Sequence, residues 1–585
     1  MTDLASPGTN AIPHARDRLD SWKGIAAYLR RSVRTVRRWE KDEELPVHRH
    51  LHQRLGTVYA YKPEIDAWWI ARGPQLEHAR RETPVPWWHG RFAAALIATA
   101  VAAAAVLAYF GWMSSPTAPK PLAGRAMLAV LPFENLSGSA DQEYFSDGLT
   151  EEMIAELGRL HPERLGVIAR SSTMPYKGAN KSVAEIAAEL RVDYLLEGSV
   201  RREGDRVRIT AQLIRASDQT HLWADNFDRD LAGVLDVQTQ VSRAVADRIQ
   251  LQLAPNRDVR LPRARAPIPL AHEAVLRGRY FLERRTADDI RKARESFEQA
   301  IRQDSGYALA YVGLADAHIL SATYAGAPAK EAMTSAREAV LTALKLDSNL
   351  PDAHAWLGVI LAEHDWNWAG AAREFRRAVA LSPNFAYAHK LYAEYLSYVG
   401  RFDQAVAEAR LARQLDPLSV VTNSLVGIVL YRARRYDEAL VELERAIELD
   451  PDHPMPYLPQ GLAYAMKGMP EEALASLRKA LSLAPDSPEL VAQIAYVSGS
   501  SGRRDEARML LDDLRRRSLR QHVSPFFFAV AYAGLSESKA AVEWLERAYV
   551  DRDWLLCVLK TEPILDPLRD EPGFQELLRR MNFPE

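Results

Sequence analysis

Cysteine is almost absent: Cys557 is the only one in 585 residues. No disulfide can form within the chain and no cysteine-based zinc site can be assembled, so any part in an oxidising compartment must hold together by packing. Catalytic signatures are missing as well. There is no G-x-S-x-G, H-E-x-x-H, EF-hand or Walker pattern, and the GANKS run at Gly178–Ser182 lacks the adjacent Gly-Lys of a phosphate loop. His354 and His364 fall on helical stretches, where packing or solvation is their ordinary role. No enzymatic activity, cofactor or metal is expected. Net charge is also nearly missing, at −2, but residues 1–91 hold 16 Arg and Lys against 11 Asp and Glu, with 6 His besides. The basic N-terminal piece favours polyanionic partners.

What is present begins with an uncharged run, Phe92–Met113 (FAAALIATAVAAAAVLAYFGWM). As a helix it would extend roughly 33 Å, enough for a hydrocarbon core of about 30 Å. Trp87, Trp88 and Trp112 bracket it, and Arg72, Arg80, Arg81 and Arg91 precede it against Lys120 and Arg125 after it. The expectation is one transmembrane helix in a bacterial inner membrane, N-terminus cytoplasmic and C-terminal region periplasmic. Ala94, Ala98 and Ala102 form a small-residue stripe compatible with a homodimer, although chance explains it as well in so alanine-rich a run.

Before this run, Ser21 can cap a helix with Trp22, Ile25, Ala26 and Leu29 on one face. Ser32 can cap a second, burying Val33, Val36 and Trp39 and turning Arg34, Thr35, Arg37, Arg38 and Lys41 outward. Val47–Leu51 and Thr57–Tyr61 read as strands around Gln53–Gly56, and Pro63 opens a third helix with Ile65, Trp68 and Trp69. This order, with a basic second helix, describes a winged helix-turn-helix able to enter a major groove. SWKGIAAYL, RTVRRWEKDEELP and VYAYKPEIDAWW resemble the DNA-binding heads of the MerR and phage-excisionase superfamily. The resemblance implies double-stranded DNA as partner of residues 21–75, with Arg34, Thr35, Arg37 and Arg38 facing DNA and His50 and Arg54 as wing contacts. Solvation is the other reading of such a face. His48, His50 and His52 alternate along one strand; wing contacts or exposure are expected of them before metal binding.

Residues 114–125 form a Pro- and Ser-rich linker, and 126–253 alternate strands with helices. Strands are expected at Ala126–Phe133, Leu165–Ala169, Tyr194–Arg202, Arg206–Ala216 and His221–Phe227, with helices at Asp147–Leu160, Val183–Leu190 and Val237–Leu251. LAVLPFENLSGSADQEYFSDGLTEEMIAEL, DYLLEGSVRREGDRVRITAQLI and HLWADNFDRDL resemble TolB-like or FlgO-like α/β domains, which are implied to be binding or assembly modules.

After a linker at 254–269, Pro383, Pro417, Pro451 and Pro485 recur every 34 residues. So do Ala393, Gly427, Gly461 and Ala495, the acids Asp403, Asp437, Glu471 and Asp505, and the alanines Ala405, Ala439, Ala473 and Ala507. This is the tetratricopeptide period, giving an all-α superhelix of about eight repeats over 270–550 whose groove is expected to bind a protein or peptide, or to act as a spacer. Residues 551–585 read as a C-terminal cap with Cys557 buried.

The fold class expected is thus multidomain: a flexible arm (1–20), a small winged helix-turn-helix (21–75), one transmembrane helix (92–113), an α/β domain and a tetratricopeptide superhelix. The layout resembles ToxR- and CadC-type membrane-anchored one-component regulators, with a different head. A DNA-binding regulator coupled to an envelope-side sensing region is the functional expectation. The alternative is an envelope scaffold that does not bind DNA.

Overall fold

The computed structural model describes residues 17–49, 58–78, 124–230, 233–249, 267–324 and 329–584. The chain divides into two compact units, Met1–Ser115 and Pro116–Glu585.

In the first unit, β1 (Arg18–Asp20), α1 (Trp22–Tyr28), α2 (Val33–Asp42), β2 (His48–Arg49), β3 (Val58–Tyr61) and α3 (Lys62–His78) follow in order. The strands form an antiparallel sheet in the order β1-β3-β2. Ile25, Ala26, Val36, Trp39, Leu45, Ala60 and Ile65 make its core. Strand β1 lies in the stretch read from sequence as a flexible arm; three residues are too few for a period to show, and only pairing with Tyr59–Tyr61 defines them.

The second unit opens with an α/β region: β4 (Ala126–Val130), β5 (Glu134–Asn135), α4 (Glu143–Leu160), β6 (Leu165–Val167), the single turn α5 (Arg170–Thr173), α6 (Val183–Leu190), β7 (Tyr194–Glu203), β8 (Arg206–Arg215), β9 (His221–Asp230) and α7 (Val234–Arg248). The sheet runs β6-β4-β7-β8-β9, with β5 added to β7. β4 is parallel to β6 and β7, whereas β7, β8 and β9 are antiparallel. One face packs on α4 and α7 through Met153, Leu157, Val237 and Val241. The other packs on α6 through Ile186 and Leu190.

Eight helix pairs follow, from α8 (Pro269–Leu282) and α9 (Ala287–Gln303) to Pro525–Gly534 and Ser538–Val550. Small residues let paired helices touch: a Cβ at Gly427 would meet Leu443 at 2.4 Å. A further register becomes visible in the turns within the pairs, where Gly400, Arg434, Gly468, Gly502 and Ser536 all adopt positive φ at the 34-residue spacing. Glycine takes this conformation without Cβ strain, and Arg434 and Ser536 do not.

The repeats do not stand apart from the α/β region. Leu276 of α8 is buried in the α/β core, where Gly148 of α4 makes room for it. Asn384 donates to the Gly158 and Leu165 carbonyls, both at 2.9 Å, and Ser171 and Ser172 each donate to Asp416 at 2.6 Å. Beyond the last pair, the short helical segments Trp554–Val558, Pro563–Leu568 and Pro572–Met581 also reach back across the first helices of earlier pairs. Leu556, Cys557, Leu559, Leu565 and Leu568 are fully buried there. Burial pushes the Cys557 thiol well up from its ordinary range. Tyr431 donates to Glu562 at 2.6 Å, Arg434 binds Asp566 through both Nη atoms, and Trp368 stacks on Phe583 with ring centroids 4.4 Å apart. A substantial part of the groove expected to receive a partner is therefore occupied by the chain's own C-terminal segment.

The expected membrane crossing is not borne out. Among the described residues no helix is long and apolar enough to cross a membrane. The two 18-residue helices, α4 and Ala329–Leu346, show why: each is amphipathic, with Glu151, Glu152, Glu156 and Arg159 on the first and Glu331, Arg337, Glu338 and Lys345 on the second. The run 92–113 lies outside the described residues, and ten of its 22 residues are alanine, a weakly lipophilic side chain. The single transmembrane helix, the bilayer as partner of 92–113 and the single-pass inner-membrane localisation are withdrawn from the fold class. It becomes an all-helical repeat superhelix following a β-rich region, with a small separate N-terminal unit.

Replacing Ser536 by Gly should stabilise the second unit by about 0.5–1 kcal/mol by relieving a left-handed position. A rise in the midpoint of thermal unfolding checks this; a fall would show that the serine side chain matters more than its backbone.

Candidate nucleic-acid interface

The site grows from the turn between α1 and α2. Ser21 Oγ accepts from Gly24 N at 3.3 Å to start α1. Arg30 then takes φ 51° just past its end, and Arg31 N closes on the Ala26 carbonyl at 3.0 Å. This left-handed step reverses the chain within a few residues. Ser32 Oγ accepts from Thr35 N at 3.1 Å and shares a 2.8 Å hydrogen bond with Thr35 Oγ1, fixing the start of α2.

The inner face of α2 is anchored by Val36, fully buried, and Trp39, 6% exposed. Trp39 packs against Trp68 and Trp69 of α3 with centroids 5.8 and 5.6 Å away, and Trp68 Nε1 donates to the Glu43 carbonyl at 2.9 Å, tying α3 to the end of α2. Tyr28 donates to Asp66 at 2.8 Å; that bond holds its hydroxyl above the usual phenol range.

The outer face carries Arg34, Arg37, Arg38 and Lys41, all exposed. Among the described residues none of the four has a carboxylate partner, and Glu40 of the same helix is paired with Arg49 at 2.5 Å. The Arg37 guanidinium lies 5.2 Å from the Trp22 ring centroid. Thr35 is half-buried and committed to the cap. Thus α2 brings four of the candidate DNA-binding residues together on one surface, while His50 and Arg54 lie outside the described residues. His48 does not face a histidine cluster: its Nε2 is 2.7 Å from Glu64, and its ring stacks on Tyr59. His50 and His52 are outside the described residues, and among those described no group of His, Cys, Asp or Glu could hold a metal.

Sequence reasoning missed the groups that hold the second unit together. Asn384 follows Pro383 and Asp416 precedes Pro417, yet their partners Gly158, Leu165, Ser171 and Ser172 are more than 200 residues away in the chain. His272 is a further case. Burial lowers its pKa, but the Glu152 carboxylate 3.5 Å away outweighs this and leaves it raised.

Comparison with known proteins bears on the second unit. Residues 124–244 match the family model described as HilA/YgeH-like transcriptional regulator, second domain, and residues 426–557 match a tetratricopeptide repeat model. The match over 124–244 does not support the TolB-like or FlgO-like resemblance. A Rhizobium meliloti protein named "Putative adenylate cyclase 3" is 33% identical over 249 residues, covering 42% of this chain and 41% of that protein. The transcriptional regulator HilA of Salmonella typhimurium is 24% identical over 301 residues, covering 50% of this chain and 51% of its own. The chain therefore spans about half the length of these relatives or less. Among solved structures, Pseudomonas aeruginosa pilF aligns at 18% identity over 40% of this chain and 98% of its own, with a TM-score of 0.30. A tetratricopeptide repeat protein from Parabacteroides merdae aligns at 14% over 46% and 98%, with a TM-score of 0.35. Both scores are too low to bear on function.

Removing the Trp39 anchor by Trp39→Ala should cost the first unit about 3–5 kcal/mol, enough to unfold a domain this small. Arg38→Ala, on the outer face, should leave its circular dichroism and melting unchanged; equal loss in both variants would contradict the division into an anchoring and a free face. The second unit combines a domain of the HilA/YgeH-like transcriptional-regulator type with tetratricopeptide repeats.

Proposed function

We propose that the protein is a DNA-binding transcriptional regulator, with residues 21–75 as a MerR/excisionase-type winged head and the second unit as its regulatory, protein-binding part. The observation that supports this reading most is the outer face of α2, where Arg34, Arg37, Arg38 and Lys41 stand exposed and, among the described residues, without acidic partners, on a helix anchored through Trp39 to Trp68 and Trp69. A helix of ten residues held this way can lie in a major groove, and arginine can bind guanine edges or phosphate there. Thr35 shapes the helix start. His50 and Arg54 are assigned to backbone contacts from the wing. The similarity of residues 124–244 to a regulator's second domain supports the same class.

The repeats supply a protein-binding surface on those faces that the C-terminal segment leaves open. A partner engaged there can alter DNA occupancy only through unequal affinity for two states of the protein. Cyclase activity is not carried over from the Rhizobium relative, since the alignment covers 41% of that protein.

Gel shifts with residues 1–85 and mixed duplex DNA test the reading. Binding should weaken steeply with salt, and Arg34→Ala with Arg38→Ala should lower the slope of log affinity against log salt by about 2 if both contact phosphate. Absence of binding at low salt would favour the scaffold reading, in which the head docks protein.

A further inference from the structure

The junction between the α/β region and the first repeat encloses a cleft of about 560 Å³, within the size range of small-ligand sites, about 300–1,000 Å³. One wall is the turn at Ala140–Gln142, which contributes the carboxylate of Asp141, with Tyr144 in the first turn of α4 and Arg202 at the end of β7. The other is α8, with Glu273, Arg277 and Tyr280, and Arg284 just beyond it. Glu273 is saturated: it accepts from Tyr144 at 2.5 Å, Arg277 at 3.1 Å and Arg202 at 3.2 Å. The Arg202 guanidinium is largely used up by this bond and by one to the Gly204 carbonyl at 3.1 Å. Arg277 and Arg284 are different. Their side chains are 39% and 51% exposed; Arg277 bonds the shared Glu273 carboxylate and the Tyr144 hydroxyl, and Arg284 donates to the Tyr280 hydroxyl at 2.6 Å and lies 4.0 Å from Asp289, which leaves each with further N–H donors. Both lie over aromatic rings, Arg277 at 5.1 Å from Tyr144 and Arg284 at 4.7 Å from Tyr280.

A guanidinium lying over a ring keeps its other face and its remaining N–H donors for a further partner. Two of them in one cleft fit a ligand with a flat ring for the planes and a carboxylate or phosphate for the forks. The geometry points to this cleft as a binding site for a small planar anion, an aromatic acid or a nucleotide, gripped between the α/β region and the first repeat. Because its two walls come from the two parts of the second unit, such a ligand stabilises their docking. The assignment stands apart from the DNA reading, since every group named lies in the second unit.

The test is thermal unfolding and calorimetric titration of the full chain with benzoate, adenosine monophosphate and inorganic phosphate. Saturable binding of benzoate or the nucleotide, with a raised unfolding midpoint, is expected; which of the two binds identifies the source of the ring. Arg277→Gln and Arg284→Gln should each weaken binding about tenfold, while Arg508→Gln, on a distant repeat, should change nothing. Arg284 is exposed enough that its variant folds whatever Arg277→Gln does. Lack of saturation by both ring compounds at roughly 10 mM, or affinity unchanged in Arg284→Gln, would overturn the assignment. Phosphate binding as tightly as the nucleotide, with benzoate silent, would overturn the planar part of it.

Discussion

A cationic helix face can be held out rigidly only if the opposite face is anchored, and in the first unit Trp39 does the anchoring. Its ring sits between α2 and the Trp68–Trp69 pair of α3, and Trp68 in turn caps the end of α2 through the Glu43 carbonyl. Aromatic pairs of this kind contribute beyond the area they bury, by about 0.5–1.5 kcal/mol each. In a domain of some sixty residues that is a large share of the total stability. The arginines opposite are therefore presented by structure that does not depend on them.

The second unit is organised by closure. Leu276 of the first repeat completes the α/β core at one end, and the C-terminal segment folds back at the other, filling the surface made by the first helices of the repeats. Arg434 shows how the two demands meet in one residue. It occupies a left-handed turn position where three of the other four repeats compared have glycine, and its guanidinium grips Asp566 of the returning segment. The backbone strain is accepted where the side chain has a long-range partner. An array closed in this way offers partners its outer helices and the junction with the α/β region more readily than its inner surface.

Local features were legible in the sequence because their causes are local. Ser21 and Ser32 cap the helices they precede, the Val183–Leu190 helix stands where its period places it, and the 34-residue spacing of prolines and small residues reports the helix pairs directly. The partners of Asn384, Asp416, Glu562 and Asp566 were not legible, since each lies 130 residues or more away and no spacing rule connects them. Strand β1 was missed for shortness. His48 was read with its neighbours along the strand, whereas its partner is Glu64 at the start of the following helix. The uncharged length of 92–113, its bracketing tryptophans and the arginine bias favoured a membrane span; alanine satisfies an uncharged-run criterion with little lipophilicity of its own.

We propose that α2 reads DNA. Selection of genomic fragments by the purified head, followed by sequencing, tests it most directly. A shared motif should be enriched, and the enrichment lost when Arg34 and Arg38 are replaced by alanine. Recovery of fragments with no common sequence by both the native and the substituted head would contradict it.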